Sequence, residues 1–159
     1  MPLPPSARDL TDDERELVEL ARETIDANTD AGPEEDGVHT MGAAVRAADG
    51  RMFAGVNLYH FTGGPCAELV ALGAARVGGA GEITAIVAVG NHGRGAVGPC
   101  GRDRQVLFDY HSNIRVILPT GEGLKSVLIT DLMPLAALWT VEGGTQPYDP
   151  TNFLGPPSR

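Results

Sequence analysis

The apolar positions of this chain change period several times, and each change marks an element. Leu17, Val18, Leu20, Ala21 and Ile25 recur at helical spacing and predict an amphipathic helix with one apolar stripe. Its start is written just upstream. Thr11 can cap, Glu14 follows as a capping-box partner, and Asp12 and Asp13 suit the positive helix end. Residues 28–37 are acidic and hold Gly and Pro, which predicts a loop. Residues 39–48 read as a strand, and Gly42, Ala43 and Ala44 make it thin enough for a helix to pack closely on it. Asp49-Gly50 is a hairpin signal, and residues 52–58 form the returning strand. After a loop over 59–65, apolar Leu69, Val70, Leu72 and Ala74 predict a helix over 66–77, ended by Gly78-Gly79-Ala80-Gly81. Residues 83–89 are almost wholly apolar, as in a central strand buried on both faces. A Gly-rich loop over 91–99 leads into a second short helix over 100–110. Strands over 114–118 and 124–129 flank a turn at 119–123, and a short helix is expected over 131–138.

Five strands with helices set between them predict an α/β protein. Parallel crossovers are expected in the middle of a mixed sheet, with helices packed on it. The 159 residues suit one domain, taken as residues 1–142. Residues 1–9 carry prolines at 2, 4 and 5 and read as a loose arm. Residues 143–159 carry four prolines and little apolar content, and read as a tail. No internal repeat is found.

Composition sharpens this in a few places. Aromatic residues are only 5%, so the core rests on Val, Leu, Ile and Ala. A net charge of -9 argues against general attraction to nucleic acid. No apolar run is long enough to span a bilayer, and residues 1–9 lack the apolar core of a signal peptide. The expectation is a cytoplasmic protein with free thiols.

Both cysteines lie where a loop turns into a helix, each directly after a proline, in Gly64-Pro65-Cys66-Ala67-Glu68 and Pro99-Cys100-Gly101-Arg102-Asp103. A thiolate at a helix N-terminus is stabilised by the free N–H groups and the dipole there. Cys100 and Asp103 are three residues apart and share a helix face. Cys66, Cys100 and Asp103 can therefore supply three ligands to one zinc ion, with a fourth position open for water. Zinc lowers the pKa of such a water to roughly 7. Glu68 is then the candidate proton shuttle. A lone cysteine is more often a small buried hydrophobe, and Glu68 alone would be an ordinary first-turn acid. Asp103 is also open to another reading, as a helix-start acid or a partner for Arg102 or Arg104. A purely structural zinc module would not need Glu68.

At these residues the chain resembles the cytidine deaminase superfamily, and within it the blasticidin S deaminase-like proteins. The residues that carry the resemblance run from Val56 through Asn57-Leu58-Tyr59-His60-Phe61-Thr62-Gly63-Gly64-Pro65-Cys66-Ala67-Glu68-Leu69, and from Pro99 through Cys100-Gly101-Arg102-Asp103-Arg104-Gln105-Val106-Leu107. The resemblance covers roughly residues 10–142. It implies a three-layer α/β/α fold around a five-stranded mixed sheet, and a homotetramer whose neighbouring subunits help close each site. It implies Cys66 and Cys100 as zinc ligands, Glu68 as the catalytic acid/base, and Asn57 at a position that contacts the sugar of the substrate. Two positions depart from the family pattern. Asp103 stands where the third zinc cysteine is expected, and Tyr59 stands where cytidine deaminases place a ribose-binding Glu. The second departure argues against plain cytidine.

Weaker candidates surround this centre. His60 could contact substrate, serve as a ligand, or simply bond its own loop. Arg102 could meet an anionic group or remain solvated. Trp139 could stack on a substrate ring from the rim, or pack in the core or an interface. His92 and His111 read as surface residues, and Arg94 has no assigned role. The expected activity is zinc-dependent hydrolytic deamination of a small molecule: a cytosine-type nucleoside, a nucleoside antibiotic or a related aminated heterocycle. The alternative is a ligand-binding homologue weakened or silenced at Asp103.

Overall fold

The computed structural model of the protein describes residues 2–136. The first helix, α1 (Asp12–Asn28), begins with the expected capping box: the Glu14 N–H donates to Thr11 Oγ1, and the Thr11 N–H donates to the Glu14 carboxylate. Leu17, Ala21 and Ile25 of its apolar stripe are fully buried.

The strands β1 (Met41–Ala47) and β2 (Met52–Val56) form the expected antiparallel hairpin. Helix α2 (Ala67–Val77) leads to β3 (Ile83–Gly90), and α3 (Gly101–Tyr110) leads to β5 (Arg115–Thr120) and β6 (Gly123–Leu128). The main sheet order is β2-β1-β3-β5-β6. Of the two helical connections, only that through α3 joins strands that pair directly in parallel, β3 with β5. The connection through α2 passes over β1, which is antiparallel to both its neighbours.

Alternation along the strands sorts the core onto two faces. Ala43, Val45, Ile86, Ala88 and Val116 pack with Ala67, Ala71 and Ala75 of α2 and with Leu107 of α3. Ala44, Ala85, Val87, Val89 and Ile117 pack with Leu17 and Ala21 of α1. The result is a three-layer α/β/α arrangement, with α1 on one face and α2 and α3 on the other. The small residues of β1 allow a close approach: a Cβ at Gly42 would lie 2.6 Å from the Ala21 carbonyl oxygen and 2.8 Å from Ile25 Cβ.

Four expectations are corrected. A short sixth strand, β4 (Gly95–Val97), folds back on β3 within the Gly-rich loop, pairing Ala88 with Val97. Three residues carry too little periodicity to announce a strand. The 119–123 turn is tighter than expected, because Pro119 stays in β5 opposite Leu124 and Thr120 pairs with Gly123. Gly123 adopts φ 91°, which only glycine takes easily. The helix expected over 131–138 is a 3₁₀ turn, Ile129–Leu132. Pro134 lacks an N–H and disfavours helical backbone at Met133. Leu138 lies outside the described residues.

The fourth correction concerns the N-terminal arm, which is pinned. Arg8 bridges to Ser126 of β6 through paired backbone bonds of 3.1 and 2.9 Å. The Leu128 N–H donates to Ser6 Oγ at 2.9 Å, and the Ser6 N–H donates to Asp131 at 2.8 Å. The Arg8 guanidinium meets both Glu14 carboxylate oxygens, at 2.7 and 2.9 Å.

Candidate active site

The two Pro-Cys steps open neighbouring helices. Cys66 is the N-cap of α2 and Cys100 the N-cap of α3, both with extended backbone. Each backbone carbonyl takes up the first helical bond: Cys66 accepts from Val70 and Cys100 from Arg104. Neither thiol makes a side-chain capping bond, so both sulfurs are free to point elsewhere. They point toward each other, with Sγ atoms 3.7 Å apart.

Asp103, one turn into α3, completes the group. The two sulfurs and a carboxylate oxygen of Asp103 all lie within 4.8 Å of one another. Asp103 is 1% exposed, and its Oδ1 has no hydrogen-bond partner. A buried carboxylate with an unpartnered oxygen is costly unless positive charge lies against it. The flanking arginines do not provide it. Arg104 Nε donates to the Pro99 carbonyl at 3.0 Å, and Arg102 reaches the Gly64 carbonyl at 3.4 Å. Two thiols and a buried carboxylate with one unpartnered oxygen, at two helix N-termini, form a donor set that fits a thiophilic divalent cation.

In the protein alone, the surroundings of Cys66 outweigh the thiolate stabilisation expected at a helix N-terminus. Burial, the Asp103 carboxylate and the Cys100 thiol push the Cys66 thiol up to about 12. Glu68, on the first turn of α2, is 7% exposed. Its pKa is raised to about 7, first by burial and then by the charge of Asp103. Negative charge is thus crowded here in the protein alone, and a carboxyl beside it titrates near neutrality.

The loop before α2 is held by its glycines. Gly63 adopts φ 89°, and a Cβ on Gly64 would overlap the Leu58 carbonyl oxygen. That approach lets the Leu58 N–H donate to the Pro65 carbonyl at 3.1 Å, which sets the chain just before Cys66.

The remaining candidates fall around this loop. The Asn57 amide is engaged with the backbone: its Oδ1 accepts from the N–H groups of Thr40 and Met41 at 2.8 and 2.9 Å, and its Nδ2 donates to Val38 at 3.1 Å. The Tyr59 ring is exposed. His60 Nδ1 accepts from the Thr62 hydroxyl and N–H at 2.6 and 3.2 Å, and the ring lies against Phe61. Among the described residues, His60 is not part of the donor cluster. Arg102 is exposed. Trp139 lies outside the described residues. His111, read as a surface residue, is half-buried, and burial lowers its pKa.

Sequence reasoning missed the role of Arg104, which turns back along its own helix to hold the Pro99 carbonyl beside Cys100. A basic residue on a first turn gives no sign of that bond.

No protein-family model matches the chain. The blasticidin-S deaminase of Bacillus cereus is 32% identical to it over 129 residues, which span 76% of this chain and 89% of that protein. The crystal structure of cytidine deaminase from Burkholderia pseudomallei aligns with a TM-score of 0.62 at 28% identity, covering 80% of this chain and 99% of that one. Cytidine deaminase from Mycobacterium leprae aligns with the same score at 26% identity, over 79% and 99%. The chain belongs to the cytidine deaminase superfamily.

Proposed function

We propose that this protein is a zinc-dependent aminohydrolase. Its substrate would be a cytosine-type nucleoside, a nucleoside antibiotic or a related aminated heterocycle. The observation that carries the proposal is the buried Asp103 carboxylate, its Oδ1 unpartnered, grouped with the Cys66 and Cys100 sulfurs beside a Glu68 that titrates near neutrality. Cys66, Cys100 and Asp103 would hold the metal. Bound there, zinc supplies Lewis-acid chemistry that makes water a nucleophile near neutral pH.

Glu68 carries the protons. In the protein alone, burial and then the charge of Asp103 raise its pKa to about 7, and a carboxyl placed there can both accept and donate a proton. In the reaction a C–O bond forms from water to the amine-bearing ring carbon, and the C–N bond to the exocyclic amine breaks. Glu68 takes one proton from the water and passes it to the ring nitrogen, then takes the second from the new hydroxyl on the ring carbon and gives it to the exocyclic amine, which leaves as ammonia. Burial of Glu68 keeps bulk water from competing for those protons.

Asn57, Tyr59, His60, Arg102 and Trp139 are assigned to the substrate side of the site. Asn57 keeps one amide N–H beyond its bond to Val38. Arg102, bonded to the Gly64 carbonyl, carries its charge between the two cysteine motifs. The protein is assigned to the cytoplasm and to a homotetramer. Leu58 and Phe61, the latter 89% exposed, are apolar residues on the first motif's loop that a second copy would cover. None of the helices in the described residues is long and apolar enough to cross a membrane.

The test is ammonia release by zinc-replete protein from cytosine nucleosides, blasticidin S, and aminated purines and triazines. Release that disappears in Glu68→Ala supports the enzyme. Tight ligand binding without turnover would replace it with a ligand-binding homologue that has lost the reaction.

A further inference from the structure

The two sulfurs are positioned for a second chemistry that the deaminase reading does not use. The chain has only two cysteines, and their Sγ atoms are 3.7 Å apart. Neither makes a capping bond, and a disulfide needs the two sulfurs to close from 3.7 Å to roughly 2.05 Å. Because Asp103 replaces a third thiol, no alternative pairing within the chain exists. A bond between this pair would remove both sulfur donors at once and leave Asp103 alone.

We propose that Cys66 and Cys100 form an intramolecular disulfide in the metal-free protein, driven by a peroxide, and that this bond and the metal exclude one another. The second half rests on the metal reading above; the first half does not. Cys100 is exposed and Cys66 half-buried, which sets the order of events. The Cys100 sulfur attacks one oxygen of hydrogen peroxide, the O–O bond breaks, and a sulfenic acid forms with release of one water. The Cys66 sulfur then attacks the Cys100 sulfur; the S–S bond forms, the S–O bond breaks, and the hydroxyl leaves as a second water with the Cys66 proton. Two thiols are oxidised, and one peroxide is reduced to two waters.

The reaction is read by mass, not by turnover. Full-length protein is stripped with a chelator without air, treated with equimolar hydrogen peroxide, and analysed by intact mass, free-thiol titration and peptide mapping. The expected result is a monomer lighter by two hydrogens, no titratable thiol, and a linked pair of peptides containing Cys66 and Cys100. Cys100→Ser should give no such product. Oxygen addition without a linked peptide, or a disulfide-joined dimer, would overturn the proposal. Zinc loading before peroxide should slow thiol loss by about tenfold or more, and reduction of the disulfide should restore zinc uptake measured with a colorimetric chelator. Equal thiol loss with and without bound zinc would overturn the mutual exclusion. Reduced protein that takes up no zinc, yet closes the disulfide, would sink the metal reading and leave the disulfide standing.

Discussion

At the scale of single residues, the proposed chemistry rests on two buried carboxylates with different surroundings. Asp103 is buried with an unpartnered oxygen and is grouped with two thiols, and Glu68 is buried near it with its pKa raised to about 7. The first is suited to hold a cation and the second to move a proton. Glu68→Gln keeps the shape and removes the titrating group. We expect it to lower ammonia release by roughly 10²–10⁴-fold with zinc content unchanged, measured by turnover and metal analysis on the same sample. Asp103→Asn should shed zinc. Asp103→Cys should hold zinc against a competing chelator about tenfold more tightly than the wild type, since sulfur donates more charge than oxygen. Wild-type protein that binds no zinc, while Asp103→Cys does, would end the case for Asp103 as a ligand.

At the scale of elements, the site is the meeting of two helix N-termini over one sheet. Small residues in the strands let helices lie close on both faces of that sheet. Gly42 in β1 lies under α1, and Gly55 in β2 lies under α2, where a Cβ would come within 2.6 Å of the Ala71 nitrogen. Gly42→Ala should push α1 away from the sheet at a cost of about 1–3 kcal/mol. For a chain of this size that lowers the melting temperature by about 2–4 °C per kcal/mol. Zinc content should be unaffected, because α1 covers the opposite face from the cysteine helices. A loss of zinc in Gly42→Ala would show that the two faces are coupled.

At the scale of the whole molecule, one polar network joins segments far apart in sequence. Glu14 of α1 accepts from Arg8 of the arm and from the Ser126 hydroxyl of β6, the latter at 2.6 Å. The Ser126 hydroxyl in turn accepts from Arg115 Nε of β5 at 2.8 Å. Burial disfavours the Glu14 charge, but the bonds from Arg8, Ser126 and Thr11 outweigh it and hold its pKa below the ordinary 4.5. The sign follows from the depressed value: the stabilisation is complete above 4.5 and is lost as pH falls through the lower folded-state pKa. Glu14→Gln should cost about 2–3 kcal/mol at neutral pH, with the gap to wild type narrowing at an acidic pH well below 4.5. Urea titrations at the two pH values measure it, and a gap that stays constant would remove the carboxylate from the account.

Much of this protein was legible in its sequence, because the signals were local. Thr11 and Glu14 bracket a helix start, Asp49-Gly50 closes a hairpin, and each Pro-Cys step opens a helix; all need only near neighbours to act. The motif spacing singled out Cys66, Cys100, Asp103 and Glu68 for the same reason: two helix starts and one helix turn determine them. Only the tertiary structure decided what depends on distant contacts. It brought the two sulfurs to 3.7 Å, buried Asp103 without a partner for Oδ1, and turned Arg102 and Arg104 to backbone carbonyls. It added β4 by pairing with β3, and it pinned the proline-rich arm against β6. Those outcomes balance desolvation against bonds to residues up to 125 positions away, as between Ser6 and Asp131, and no local window of sequence contains both sides of that balance.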